Sequence, residues 1–490
     1  MRANCVFRSL KEILLHPITP VISAFLWYLY GLGEPSLWAD EGATFGIASL
    51  GLRPYEHPSL YFRFMEYWMR LFGTSEWSLR MPSALSASIL PCLVYKITNR
   101  FFGPREAIYG AWLAVFSPFV RLGAQEARMY APLAAFQAVA FLGLIRYLDG
   151  IKRGLVLWCA CTVISTRLHH LGWLGCWPPF FIALLYQRQR RWAYGAGISA
   201  LVLYGSLWYD LYGQIMQRIG GGHLGSTPGV TAAMKKLAGQ VYYLGAGFSF
   251  TQLDMGAVKD LMGGPWFPYF LVLLLLPLII LIRGFRSFHG IEIRWSIISL
   301  AFFLPTFLFI AYEGSPANLL LPVYTVYLIV MAAGSISRKR FVFGAILMLW
   351  ISAGVIQSRT RGYPIHPEDW RGLTRQIQSL AIEGDAVYLT GSRNSHFTTD
   401  YYSLGDIPRY SAVDSTLFYA NYDPHRNRSG RSVAGTVREI LQDHPRLWFV
   451  YIDYDMPFME RTLDSLRTEY AYDMWEFESG LSLFLIRSDE

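Results

Sequence analysis

Eleven apolar stretches separated by short polar connections fill the first 360 residues, and few folds accommodate such a pattern. They lie near 18–33, 81–98, 106–122, 131–148, 154–168, 171–186, 193–209, 266–282, 295–311, 317–333 and 341–357. A bilayer crossing takes about 20 apolar residues, fewer where the stretch is short or broken. Basic clusters occupy alternate connections: Lys96, Arg100 and Arg105; Arg146, Lys152 and Arg153; Arg188, Arg190 and Arg191; Arg283, Arg286 and Arg294; Arg338, Lys339 and Arg340. All fall on the side of Arg2, Arg8 and Lys11, so the positive-inside rule predicts a cytoplasmic N-terminus. An odd number of spans then places residues 358–490 outside. The expected fold class is a polytopic α-helical membrane protein with a C-terminal extracytoplasmic α/β domain, divided as 1–360 and 361–490.

Composition agrees with this layout. Hydrophobic residues make up 53% of the 490 and charged residues only 16%, as in a membrane protein carrying a smaller soluble part. The 16 Trp and 31 Tyr suit aromatic belts at two interfaces. The formal charge of +8 is spread through short connections rather than gathered in a tail, so no nucleic-acid partner is expected. Four of the five cysteines, Cys92, Cys159, Cys161 and Cys176, sit in apolar stretches and read as buried small hydrophobes rather than a disulfide framework. The first apolar stretch lacks cleavage-site chemistry and is expected to be retained.

The first outer loop, 34–80, is too long for a plain connector. Within it, 60–72 is apolar but interrupted by Arg63, Glu66 and Arg70 at helical spacing, which predicts an amphipathic helix lying in the membrane interface. A second outer segment, 210–265, holds Gly220-Gly221-Gly222-His223 and reads as a lid or acceptor-side loop. From about residue 363 the composition turns soluble. A helix opening at His366-Pro367-Glu368-Asp369-Trp370, strands at 385–390, 447–453, 471–477 and 481–487, and helices at 432–444 and 457–469 predict a layered α/β domain.

Candidate chemistry concentrates in the outer loops. Asp40 and Glu41 follow the first apolar stretch, with Trp38 beside them, and ionisable residues at a membrane border are functional candidates. Further along come Tyr55-Glu56-His57-Pro58-Ser59-Leu60-Tyr61, Glu76-Trp77-Ser78-Leu79-Arg80-Met81-Pro82-Ser83, and Gln125-Glu126-Ala127-Arg128-Met129-Tyr130, with His169-His170 on the same side. Each has a structural alternative: Glu41 as a helix cap, Arg80 as a snorkelling helix-end cation, Glu126 and Arg128 as an ion pair.

Together these segments resemble the signature of the protein O-mannosyltransferase-like branch of the GT-C superfamily, which comprises polytopic glycosyltransferases using polyprenyl-phosphate-linked sugars. The resemblance implies that Asp40 is the catalytic base and Glu41 its orienting neighbour. Arg128, Arg80 and His57 would bind the donor phosphate, since a guanidinium offers fixed donors to phosphate oxygens. Glu56, Tyr61, Glu126, Tyr130, His169 and His170 would line the substrate site. In the related lipid A aminoarabinose transferases a Glu at the place of Glu56 resembles a metal ligand, leaving a divalent metal open at Glu56 and His57; no other cofactor is implied.

The expected reaction is inverting transfer of a hexosyl or pentosyl unit from a lipid-linked donor to a glycolipid, polysaccharide or protein acceptor, in a bacterial inner membrane. The chain departs from the family at Asn318-Leu319-Leu320-Leu321-Pro322, where many relatives carry Arg-Tyr before Leu-Leu-Pro, so the phosphate load shifts to Arg128 and Arg80. The alternative function, a flippase for a lipid-linked sugar, predicts inverted repeats and broken midplane helices; no repeat is visible.

Overall fold

The computed structural model describes residues 16–52, 58–186, 190–205, 267–287, 293–313, 317–335, 340–359, 368–389, 393–411, 433–452, 466, 468–477 and 481–487. The 210–265 segment, Glu56, His57 and most of the predicted 457–469 helix lie outside them. The chain packs as two units. One comprises residues 1–32, 55–61 and 80–359; the other comprises 33–54, 62–79 and 360–490. Segments of the long 34–80 connection therefore fold with the C-terminal region, cutting across the sequence-based division at residue 360.

The first unit is helical, and helices occur at every predicted apolar stretch. Two depart from a continuous span. The stretch at 106–122 is broken into Pro104–Phe116 and Pro118–Ala124, bent by 54°. Pro118 disfavours helical backbone at Ser117, which takes φ −60°, ψ 120° and turns its hydroxyl to accept the Val120 N–H. The stretch at 317–333 opens as a 3₁₀ segment, Ala317–Val323, containing Pro322, before the Tyr324–Ser335 helix. Among the described residues one helix, Tyr130–Leu148, is long and apolar enough by itself to cross a membrane, and the bent pair would make a second.

Sequence dictates how these helices pack. Gly143 and Gly154 let Tyr130–Leu148 and Arg153–Leu168 touch backbone to backbone; a Cβ at Gly154 would lie 2.5 Å from the Gly143 carbonyl. The buried Arg121 donates to the carbonyls of Tyr30 at 2.9 Å and Gly354 at 3.3 Å, and Gln125 donates to those of Tyr28 and Tyr30. These side chains satisfy carbonyls that the end of the Ile18–Leu29 helix leaves without intrahelical donors. On that helix Ala24 and Tyr28 are buried, whereas Ile18, Ile22 and Leu26 stand exposed on one stripe. An outward apolar stripe of this kind marks an interaction with membrane or partner.

The second unit contains a five-stranded sheet in the order β2-β1-β3-β5-β4, with β1 Ala386–Leu389, β2 Arg409–Ser411, β3 Arg446–Ile452, β4 Ala471–Phe477 and β5 Leu481–Arg487. β1 runs parallel to β2 and β3, while β5 is antiparallel to β3 and β4. Alternate side chains serve opposite faces. Tyr388, Phe449 and Phe484 pack with Val437 and Ile440 of the Val433–Asp443 helix on one side. Val387, Trp448 and Leu483 pack with Trp370, Leu373 and Ile377 of the Trp370–Leu380 helix on the other. The sequence anticipates these strands except β2, and it misses the Arg393–Tyr401 helix.

Candidate active site

The predicted site residues fall into two groups, one in each unit. In the helical unit, Arg80 and Ser83 lie one turn apart on the Glu76–Phe102 helix. The Ser83 hydroxyl donates to the Arg128 carbonyl at 3.0 Å, anchoring the loop between Pro118–Ala124 and Tyr130–Leu148. Arg80 donates to the Leu32 carbonyl at 3.0 Å. The Arg128 guanidinium lies over the Tyr130 ring, 5.7 Å from its centroid. Tyr130 meets the His169 ring edge-on at 5.9 Å, and His169 and His170 lie 4.0 Å apart. The structure thus brings Arg128, Tyr130, His169 and His170 into one contiguous row. Arg80, Glu126, Arg128, Tyr130 and His169 are all buried, as is Tyr61.

The histidine pair sits in the turn between Arg153–Leu168 and Leu171–Tyr186. His169 is extended and ends the first helix, and its Nδ1 accepts the Leu171 N–H at 3.1 Å. With Nδ1 accepting, the neutral ring carries its proton on Nε2 and presents a donor there. Gln137 fixes the turn by donating to the Leu171 carbonyl at 2.9 Å. A row holding a guanidinium, a phenol and an imidazole donor is suited to anionic oxygens, because charge-assisted donors strengthen where water is excluded.

In the second unit Asp40 and Glu41 occupy the first turn of the Ala39–Ser49 helix. Glu41 is buried and accepts the Trp38 N–H at 3.4 Å, so the helix-cap reading of Glu41 holds alongside any role toward substrate. Asp40 is half-buried. The backbone that carries the pair is bolted down from the far end of the chain. The buried Glu368 carboxylate accepts the Ala39 N–H at 2.9 Å and also the Trp370 indole N–H. The Tyr402 hydroxyl accepts the Leu37 N–H at 2.7 Å. Gly42 and Gly46, one turn apart, let the Arg393–Tyr401 helix approach so closely that a Cβ at Gly42 would lie 1.9 Å from Thr398 Oγ1.

Arg371 extends this network. It pairs with Glu76 at 2.6 Å and donates to the Glu34 carbonyl at 3.1 Å. Burial alone would raise the Glu76 carboxyl, but a backbone N–H, the Arg371 guanidinium and the Tyr402 hydroxyl hold it below the usual carboxylate value. Burial pushes the Tyr402 phenol up to about 12, so it stays a protonated donor at neutral pH. Glu368, Arg371 and Tyr402 carried no functional signal in the sequence, since their partners lie more than 290 positions away.

Among the described residues no three His, Cys, Asp or Glu side chains gather closely enough to hold a metal ion.

Comparison with known proteins bears on the fold and on one segment of the helical unit. The family described as Dolichyl-phosphate-mannose-protein mannosyltransferase matches residues 56–208, a segment that contains Arg80, Arg128, Tyr130 and the histidine pair but not Asp40 or Glu41. The crystal structure of ArnT from Cupriavidus metallidurans bound to undecaprenyl phosphate superposes with a TM-score of 0.64 at 12% identity, covering 96% of this chain and 97% of that one. This chain has the GT-C fold. The GT-C likeness extends to the Archaeoglobus fulgidus oligosaccharyltransferase tethered to an acceptor peptide, with a TM-score of 0.50 at 11% identity over 95% of this chain and 74% of that one. In sequence, an uncharacterized protein of Aquifex aeolicus (strain VF5) is 30% identical over 202 residues, covering 38% of this chain. The match spans about half the length of that relative, 47%.

Proposed function

We propose that this protein is an integral membrane glycosyltransferase that moves a sugar from a polyprenyl-phosphate carrier to an acceptor on the extracytoplasmic face, with inversion at the anomeric carbon. The observation that carries the reading is the row of buried Arg128, Tyr130 and His169 with half-buried His170, which lies inside the segment matching the mannosyltransferase family and within a GT-C fold. Undecaprenyl phosphate bound to ArnT supports a polyprenyl phosphate as the carrier here.

In this mechanism Arg128 and Arg80 hold the carrier phosphate, with the His169 Nε2–H as a further donor. Asp40 takes the proton from the acceptor nucleophile as its lone pair attacks the anomeric carbon. The bond from that carbon to the phosphate oxygen breaks, and its electrons leave with polyprenyl phosphate, whose added charge the guanidinium groups stabilise. A single displacement of this kind needs one base and no covalent intermediate, unlike the two-carboxylate retaining glycosidases. Glu41 holds the start of the helix that presents Asp40. The exposed apolar side chains of the Leu60–Phe72 helix, Phe64, Tyr67, Leu71 and Phe72, with Arg63 and Arg70 among them, suit a helix lying at the membrane surface.

The deciding experiment is mass spectrometry of glycolipids and glycoproteins from cells carrying the wild-type gene, no gene, or Asp40→Asn. A glycan present only with the wild type, while Asp40→Asn accumulates to the same level, is the expected result. Identical glycan profiles in all three strains would dismiss the transferase reading.

A further inference from the structure

We propose that a polar cleft in the second unit, whose lining shares no residue with the Arg128 row, binds a pyranose ring of the acceptor glycan. The cleft has a volume of about 600 Å³, within the usual range for small-ligand sites. One wall is a single face of the Trp370–Leu380 helix. Arg371, Thr374, Arg375 and Gln378 recur there at the i, i+3, i+4, i+7 spacing, while Trp370, Leu373 and Ile377 on the opposite face fill the core. The other wall is aromatic. Phe45 from the Asp40-bearing helix meets Tyr401 edge-on at 5.0 Å, and Tyr401 stands perpendicular to Tyr402 at 4.8 Å. All three rings are only half-buried.

This combination matches the chemistry of a sugar. A pyranose presents apolar C–H faces that suit aromatic rings and vicinal hydroxyls that need donors and acceptors together. The floor is preorganised, since the Arg371–Glu76 pair and the Tyr402 hydroxyl are already locked to one another. The rim supplies the working groups. Arg375 is exposed and forms no ion pair among the described residues. Gln378 spends its amide N–H groups on the Tyr402 and Ser403 carbonyls, which leaves its Oε1 as an acceptor beside the Arg375 donors. Assigning the bound sugar to the acceptor rests on the transferase reading; the binding itself does not.

The test uses the full chain in lipid nanodiscs, with methyl α-D-mannopyranoside and methyl β-D-glucopyranoside as probes and sorbitol as the non-ring control, read by saturation-transfer NMR. At least one pyranoside is expected to bind in the millimolar range and sorbitol not to compete. Arg375→Ala/Gln378→Ala should weaken binding at least about tenfold, and Phe45→Leu, which keeps apolar bulk but removes the ring, should do the same. Arg100→Ala, which breaks an exposed ion pair with Asp149 in the helical unit, should leave pyranoside binding unchanged; because the readout is binding and not transfer, failure of the transferase reading and failure of this one are told apart. No pyranoside binding to the wild type, or binding that survives both cleft variants, overturns the proposal.

Discussion

The carboxylate of Glu368 accepts the backbone N–H of Ala39 at 2.9 Å, joining residues 329 positions apart. The same oxygen takes the Trp370 indole N–H. Glu368→Ala would strand both buried donors, at about 1–3 kcal/mol each, whereas Glu368→Gln keeps an acceptor and should cost less. Thermal unfolding of the purified protein should therefore rank wild type, Gln and Ala in that order. Transfer rates should follow the same order, because the first turn that presents Asp40 loses its anchor. Equal unfolding midpoints for the two variants would show that the acceptor oxygen is not what matters.

Gly42 offers a test of helix approach. An added methyl would meet Thr398 Oγ1 at 1.9 Å and Thr398 Cα at 2.8 Å, so the neighbouring helix must move rather than a flexible side chain. Gly42→Ala is expected to destabilise by about 1–3 kcal/mol. Thr398→Ala in the same chain removes the nearer obstacle and should recover part of that loss, a coupling that a double-mutant cycle measures directly. Strict additivity of the two substitutions would place the strain elsewhere.

Arg128→Ala should weaken binding of polyprenyl phosphate by about 2–5 kcal/mol, the range for truncating one partner of a buried charge pair. Arg128→Lys should restore only part of it, since an ammonium cannot reproduce the fork of donors. Native mass spectrometry of lipid retention gives the comparison, and undiminished retention in Arg128→Ala would send the phosphate role to other residues.

Stability should depend on pH through His396. Burial pushes this imidazole down to about 4 from its ordinary 6.5, with Asp400 pulling it up and Arg409 pushing it further down. Between 6.5 and 4 the unfolded chain binds a proton that the folded one refuses, so stability falls as pH drops across that window and is fully present above it. Glu76, held below the usual carboxylate value, adds a second loss at lower pH as its pairing with Arg371 is protonated away. Unfolding midpoints measured from pH 7.5 to 4.5 should slope downward for the wild type and flatten for His396→Gln. A slope untouched by that substitution would remove His396 as its source.

What the sequence disclosed and what it concealed divide along range. The Leu60–Phe72 helix and the strands at 471–477 and 481–487 were legible because each is specified by its own periodicity. Arg128, Tyr130 and the histidine pair were singled out through the family resemblance, but their contact in one row, which joins two helix ends some 40 residues apart, was not legible. The break at Ser117 was readable in principle from Pro118 but was masked by the apolar run around it. The Arg393–Tyr401 helix was not legible. Asn394, Ser395, Thr398 and Thr399 favour helices weakly, and the segment takes its shape by packing against Gly42 and Gly46. Neither those glycines nor Glu368 announces a partner some 300 residues distant.

That long reach sets a timetable for assembly. A ribosome that has released residues 39–46 still has to make more than 300 residues before Glu368, Thr398 and Tyr402 emerge. Until then the Ala39 N–H lacks the carboxylate that receives it and Gly42 the helix it admits. Contacts closed over such a separation form late. The first turn of the Ala39–Ser49 helix, with Asp40 and Glu41 on it, therefore gains its anchored geometry only after the C-terminal region has been made, and a half-made chain lacks it.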